Sequence, residues 1–149
     1  MRRMEKTLAI GVALILSLGL AACGSDSDSG SGGDSSSPIE GKKWELMNIA
    51  SQGSATSLPN TVEPPTVEFE DGNVQVFGGC NSGSGPAEVS DSTISFGAIA
   101  MTKKSCDGLA NQIESYVSQV LSGDVPYKID QGSLIIGDNS TSLIFTDGN

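Results

Sequence analysis

Thr66-Val67-Glu68-Phe69-Glu70-Asp71-Gly72-Asn73-Val74-Gln75-Val76 is the stretch that decides the fold class. Val67 and Phe69 alternate with Thr66, Glu68 and Glu70, so an extended chain here has one apolar face and one wet face, the period of a half-buried strand. Asp71-Gly72 is a residue pair that takes the positive φ angles of a two-residue hairpin turn at little cost. Val74 and Val76 continue the alternation on the return strand. The stretch therefore reads as an antiparallel hairpin.

Working outward, the same rhythm recurs. Upstream, Pro59, Pro64 and Pro65 bracket a loop. Before that loop, Trp44 and Leu46 share one strand face with Asn48 next in phase, and Glu45, Met47 and Ile49 take the other. Downstream, a Gly/Ser-rich turn over residues 78–86 leads to a strand carrying Ile94 and Phe96. Tyr127 and Ile129 run through Gln131-Gly132 into residues 134–136, and Gly137, Asp138 and Asn139 turn the chain into residues 143–145, so the last segments read as a meander. One segment departs from the two-residue period. Leu109, Ile113, Tyr116, Val117, Val120 and Leu121 fall on one stripe of an α-helix, with Asp107 as N-cap and Gly123 as the left-handed stop. The chain of 149 residues has room for one core, which predicts a single β-rich domain with one main helix covering an open end or face of a curled antiparallel sheet.

Charge and composition exclude several functions. The net charge is −10, from 8 basic and 18 acidic residues, the opposite of the clustered Lys/Arg that phosphate backbones require, so nucleic acid is not expected as a partner. There is no histidine, which removes every mechanism that needs imidazole as base or metal ligand. Neither a cofactor nor a metal site is expected. Glu68 and Glu70 share a strand face and are the nearest thing to a carboxylate pair, but they read as the solvated side of that strand. No catalytic residue is assigned, and the chain is not expected to be an enzyme.

The N-terminus reads as an address. Arg2, Arg3 and Lys6 precede an apolar run over residues 8–20, the charged and hydrophobic regions of a signal peptide. As helix the run reaches about 20 Å, short of the roughly 30 Å hydrocarbon core. Leu20-Ala21-Ala22-Cys23 resembles a bacterial lipobox, with residues 1–22 as the lipoprotein signal peptide and Cys23 as the lipidated mature N-terminus. By that resemblance Cys23 carries a diacylglyceryl group and often a further acyl chain such as palmitate, and two or more chains give stable membrane attachment. The expected location is the outer face of the cell membrane, or the outer membrane where there is one, with membrane lipid as partner through Cys23. Residues 24–41 hold seven serines, five glycines and three aspartates. Residues 23–43 are therefore expected to be the acylated cysteine and a disordered tether with a reach of roughly 23 Å, leaving residues 44–149 as the domain.

With Cys23 acylated, Cys80 and Cys106 remain as an even pair in an oxidising exterior, and a disulfide between them is expected. A Cys-based nucleophile beside Lys103 and Lys104 is the sharper alternative, but without histidine it has no partner base.

The order of motifs then shows a family resemblance. Gly79-Cys80-Asn81-Ser82-Gly83-Ser84-Gly85, Ile94-Ser95-Phe96 and Ala100-Met101-Thr102-Lys103-Lys104-Ser105-Cys106, with Trp44 and Leu46 before them and Leu143-Ile144-Phe145 after, resemble the META domain family, to which HslJ-like proteins belong. Trp44, Gly79, Asn81, Gly83 and Thr102 are the structural motif positions on that resemblance. Lys104 stands where the family commonly has an apolar methionine, and no tyrosine follows near Pro86 and Ala87. The resemblance implies a lipocalin-like small antiparallel β barrel or β roll with one helix packed against it, often on an exported lipoprotein, and no known reaction. In physical terms Asn81 is expected to cap its own backbone in a tight turn or to take a left-handed conformation. The glycines are expected to supply positive φ or close backbone approach.

A lipid-anchored, non-enzymatic cell-envelope protein is therefore expected, one that meets a protein or envelope component, with stress-related roles among its relatives. Its acidity fits a partner with a basic surface and equally fits colloidal solubility. The alternative is a small-ligand-binding module, with Trp44, Phe69, Phe77, Phe96, Tyr116, Tyr127 and Phe145 lining a barrel or cleft interior.

Overall fold

The computed structural model describes residues 37–106 and 108–149. The expected signal peptide, the expected lipidation site Cys23, most of the expected tether and the expected N-cap Asp107 lie outside the described residues. The elements in chain order are β1 (Lys43–Ser51), β2 (Ser54–Ser57), β3 (Thr66–Glu70), β4 (Asn73–Phe77), β5 (Ser82–Val89), β6 (Thr93–Phe96), β7 (Ala100–Met101), α1 (Gly108–Val120), β8 (Gly123–Asp130), β9 (Ser133–Gly137) and β10 (Thr141–Asp147). Among the described residues, no helix is long and apolar enough to cross a membrane.

The Asp71-Gly72 hairpin forms as read: Asp71 (φ 50°) and Gly72 (φ 72°) both lie in the left-handed region, as a type I′ turn requires, and β3 pairs β4 with Val67 opposite Val76 and Phe69 opposite Val74. Gln131-Gly132 repeats the device between β8 and β9, and Gln52-Gly53 repeats it between β1 and β2. Antiparallel pairing runs β1–β3–β4–β5–β6–β8–β9–β10 and returns to β1, so the sheet closes into a barrel. Closure rests on β1 and β10, paired from Trp44 opposite Asp147 to Ser51 opposite Thr141 across one bulge. Two strands lie off the ring: β7 on β5, and β2 on the outer half of β1.

Inward-facing residues fill the interior. Phe69, Phe145, Leu46, Ile94, Leu134, Ile136, Leu143, Val67 and Val74 are fully buried, and the Phe69 and Phe96 rings meet at 6.2 Å. Trp44 and Tyr127 are buried too, whereas Phe77 and Tyr116 are only half-buried. The first strand differs from its simple alternation. A register shift between Leu46 and Asn48 leaves Met47 exposed and reverses the phase, so Ile49, expected with Met47 on the face opposite Trp44 and Leu46, packs against the core, while Asn48 accepts a hydrogen bond from the Ser57 hydroxyl at 2.8 Å.

The domain also begins earlier than composition indicated. Ile39, expected in the tether, is 0% exposed and belongs to the core. Its carbonyl accepts a hydrogen bond from the Trp44 indole at 2.9 Å, Glu40 bridges Phe69, and the Gly41 amide donates to the Phe69 carbonyl. Residues 37–43 are thus part of the folded unit, seated at the barrel end where β3 finishes.

α1 lies at the other end. Ile113, Val117 and Val120 are buried, Leu121 follows them into the core, and Gly123 (φ 69°) makes the left-handed turn into β8. Leu109, expected on the buried stripe, stays 42% exposed.

Candidate functional site

Two features meet where α1 covers the barrel: a polar joint that fixes the helix, and a groove that the helix leaves open.

Asn81 is the centre of the joint, 5% exposed and immediately before β5. Its Oδ1 accepts hydrogen bonds from the Thr102 hydroxyl at 2.8 Å and the Lys104 amide at 2.7 Å, and its Nδ2 donates to Glu114 Oε1 at 2.8 Å. The Asn81 backbone amide donates to the other Glu114 oxygen at 2.6 Å. One side chain therefore ties β5, the segment entering the helix, and α1 together, through a charge-assisted pair. Asn81 does not have a positive φ, and these partners are distant in sequence. The expected left-handed or self-capping role is corrected accordingly: a buried amide must satisfy its donors and acceptor, and here the tertiary structure supplies them. Lys104 takes part through its backbone alone, so the joint places no demand on the lysine side chain.

The glycines make room for it. Gly79 (φ 105°) turns the chain beneath α1, where a Cβ would lie 3.7 Å from the Ala110 carbonyl and from Ile113 Cγ2. At Gly78 a Cβ would meet Glu114 Cγ at 2.8 Å, so this position must be bare for the carboxylate to reach Asn81. Gly83 and Gly85 lie outside the positive-φ region and serve close approach instead: a Cβ on Gly83 would collide with the Ala100 carbonyl and the Met101 sulfur, and one on Gly85 would lie 2.6 Å from the Ala98 carbonyl. Cys80 and Cys106 pair as a disulfide with Cα atoms 6.1 Å apart, fastening the same segment beside Asn81. Gly79, Cys80, Asn81, Gly83, Thr102 and Cys106 thus converge on one place, while Trp44 is engaged with Ile39. Glu114 was not singled out in the sequence; nothing local distinguishes it from a solvated helix glutamate.

The groove lies between the inner face of the β1–β2 hairpin and the N-terminal half of α1, and encloses about 240 Å³. Ile49, Thr56 and Leu58 line one side, Leu109, Ile113 and Tyr116 the other, and among the described residues no charged one lines it. It exists because β1 changes neighbours. Its first half pairs β3 through Lys43, Trp44 and Glu45, and its second half pairs β2 instead, so the hairpin splays from the ring and α1 does not fill the opening. The sequence does not reveal this groove, because the two-residue period puts Ile49 on the face opposite Trp44 and Leu46 and the helical stripe puts Leu109 among the buried residues.

Among the described residues, no group of three or more His, Cys, Asp or Glu side chains is placed to hold a metal ion. The barrel aromatics expected as a possible ligand lining are for the most part core: Trp44, Phe69, Phe96, Tyr127 and Phe145 are buried, and Tyr116 alone of the seven faces the groove.

The fold has known counterparts. A protein from Burkholderia xenovorans, with a structure determined by NMR, matches with a TM-score of 0.61 at 21% identity, over 74% of this chain and 84% of its own. A second NMR structure matches with a TM-score of 0.59 at 17% identity, over 72% and 90% of the two chains. No curated protein matches significantly. The META domain model matches residues 37–148, starting where Ser37 and Ile39 enter the fold and ending with β10. The chain therefore belongs to the META domain family.

Proposed function

We propose that this META domain is a lipid-anchored, non-enzymatic cell-envelope protein, held at the outer membrane face by Cys23 and acting through its surface on a protein or envelope component. The observation that carries the reading is the packed barrel: Phe69, Phe145, Leu46, Leu134 and Leu143 occupy the interior, so what the domain offers to a partner is its outside. The uncharged groove beside α1 is the recess a partner would use. The lipobox-like Leu20-Ala21-Ala22-Cys23 and the Ser/Gly/Asp segment after it support a tethered position.

The test has two readouts on membranes from cells expressing the full chain. Intact mass of the extracted protein is expected to show a species starting at Cys23 with acyl mass. Cross-linking is expected to retrieve a reproducible partner. A mature form starting elsewhere without acyl mass overturns the anchor, and the absence of any reproducible partner overturns the interaction.

A further inference from the structure

Closing a barrel removes sheet edges, and β1, β3, β4, β5, β6, β8, β9 and β10 are each paired on both sides within the ring. β2 is not. Among the described residues it pairs β1 alone, and Ser54, Ala55, Thr56 and Ser57 are all exposed. The strand carries neither a proline nor a charge, the usual protections of a free edge, and only its shortness discourages pairing.

The register tells which groups are free. Ser51 and Ser54 close the two-residue Gln52-Gly53 turn, and the Leu58 amide donates to the Met47 carbonyl, so Ser54, Thr56 and Leu58 direct their backbone groups to β1. Ala55 and Ser57, alternating with them, direct theirs away from the sheet. Thr56 and Leu58 line the groove, facing Leu109 and Tyr116 across it. A strand laid along the free edge would hydrogen-bond to Ala55 and Ser57 and place alternate side chains over the groove mouth.

We propose that the edge of β2 and the adjoining groove form a strand-addition site for an extended polypeptide segment of another protein, apolar at alternate residues and basic at its flanks. The inference rests on the surface-interaction reading above and specifies its partner. A row of unpaired N–H and C=O groups calls for a partner with the same backbone repeat, and the uncharged lining calls for apolar side chains between them. Charge selects the class of partner. Each copy of this chain carries −10, so a second copy approaching edge to edge is repelled, whereas a basic segment is drawn in.

The test uses the full-length protein in detergent micelles and a phage-displayed library of random nine-residue peptides. Recovered peptides are synthesised and titrated by fluorescence anisotropy. Alternating apolar residues with flanking Lys or Arg are expected. Ala55→Pro removes one outward N–H while leaving the β1–β2 pairing groups intact, and is expected to weaken binding at least tenfold; Leu109→Lys is expected to do the same from the groove side. N-methylation of the peptide at alternate residues checks the wild-type protein directly: one set is expected to abolish binding and the other to leave it unchanged. Unchanged affinity for Ala55→Pro, insensitivity to the position of N-methylation, enrichment of no peptide, or dimerisation through β2 each overturns the proposal. If cross-linking on membranes still retrieves a partner and Ala55→Pro does not affect it, this site is refuted and the broader reading stands. If cross-linking retrieves no partner at all, both fall.

Discussion

Replacing Asn81 by alanine tests whether the polar joint holds α1 on the barrel. The three shortest side-chain bonds disappear, one to the charged Glu114 at 2.8 Å, one from the Lys104 amide at 2.7 Å and one from the Thr102 hydroxyl at 2.8 Å, along with longer contacts to the Lys104 carbonyl and the Cys80 sulfur. A hydrogen bond to a charged group contributes about 1.5 to 3 kcal/mol and a neutral one about 1. Thr102 is exposed and water replaces its bond cheaply, so the expected loss is about 3 kcal/mol, a large share of the roughly 5 to 15 kcal/mol of a whole domain. In urea, with a slope of about 1 to 3 kcal/mol per molar, the midpoint should fall by about 1 to 3 M. The decisive measurement is a double-mutant cycle with Glu114→Ala on the oxidised protein, followed by circular dichroism and by tryptophan fluorescence from Trp44. The coupling expected between the two sites is about 1.5 to 3 kcal/mol. Additivity within about 0.5 kcal/mol, or a single-variant loss below about 1 kcal/mol, would show that the helix is held by its apolar stripe alone.

Ile39→Ala should cost about 2 to 5 kcal/mol in urea denaturation, the range for truncating a fully buried isoleucine; a change within about 0.5 kcal/mol would return residues 37–43 to the tether. Gly83→Ala drives a methyl into the Ala100 carbonyl, so β7 must leave β5, with an expected loss of about 1 to 3 kcal/mol and faster exchange of the Thr102 amide, which donates to the Ser82 carbonyl; native exchange there would contradict the clash. Asp138 accepts hydrogen bonds from the Thr141 and Ser140 amides, and these hold its carboxyl below the ordinary value. Because the folded value is depressed, the turn's stabilisation is present above the ordinary carboxylate range and is lost as pH falls through the lowered value. The Ser140 and Thr141 amide shifts should titrate with that depressed midpoint and lose the step in Asp138→Ala; a midpoint at or above that of an unstructured aspartate refutes the turn geometry.

What the residues announced was local. Asp71-Gly72 flanked by alternating valine and phenylalanine, and the Ile113, Val117, Val120 stripe closed by Gly123, were readable because turn chemistry and periodicity act over a few residues. Gln52-Gly53 makes the same turn, yet it lies between Ser51 and Ser54 with no apolar alternation beside it, and β2 went unseen. Ile39 is hidden by the serine and glycine around it, although one buried side chain whose carbonyl accepts from the Trp44 indole suffices to bring its segment into the fold. The phase reversal after Leu46 depends on how β1 meets β10 nearly a full chain away, which no window of β1 contains. Asn81 was noticed, but its partners Lys104 and Glu114 come from other elements, so the residue was legible and its role was not.

The disulfide and the asparagine joint act on different states of the chain, and that bears on why both are present. Cys80–Cys106 restricts the unfolded ensemble, by about 3.5 kcal/mol for a loop of this length in the entropy model, and it does so wherever α1 sits. The Asn81–Glu114 contact exists only when α1 lies in one rotational setting. That setting is what places Leu109 and Tyr116 opposite Thr56 and Leu58. Stability at this end of the barrel therefore draws on the disulfide and the apolar stripe as well as on the joint, and the shape of the groove draws on the joint. An Asn81 variant that stays folded on the strength of its disulfide and apolar stripe should still lose the alignment across the groove, so binding at the β2 edge should weaken under conditions where the folded fraction does not change.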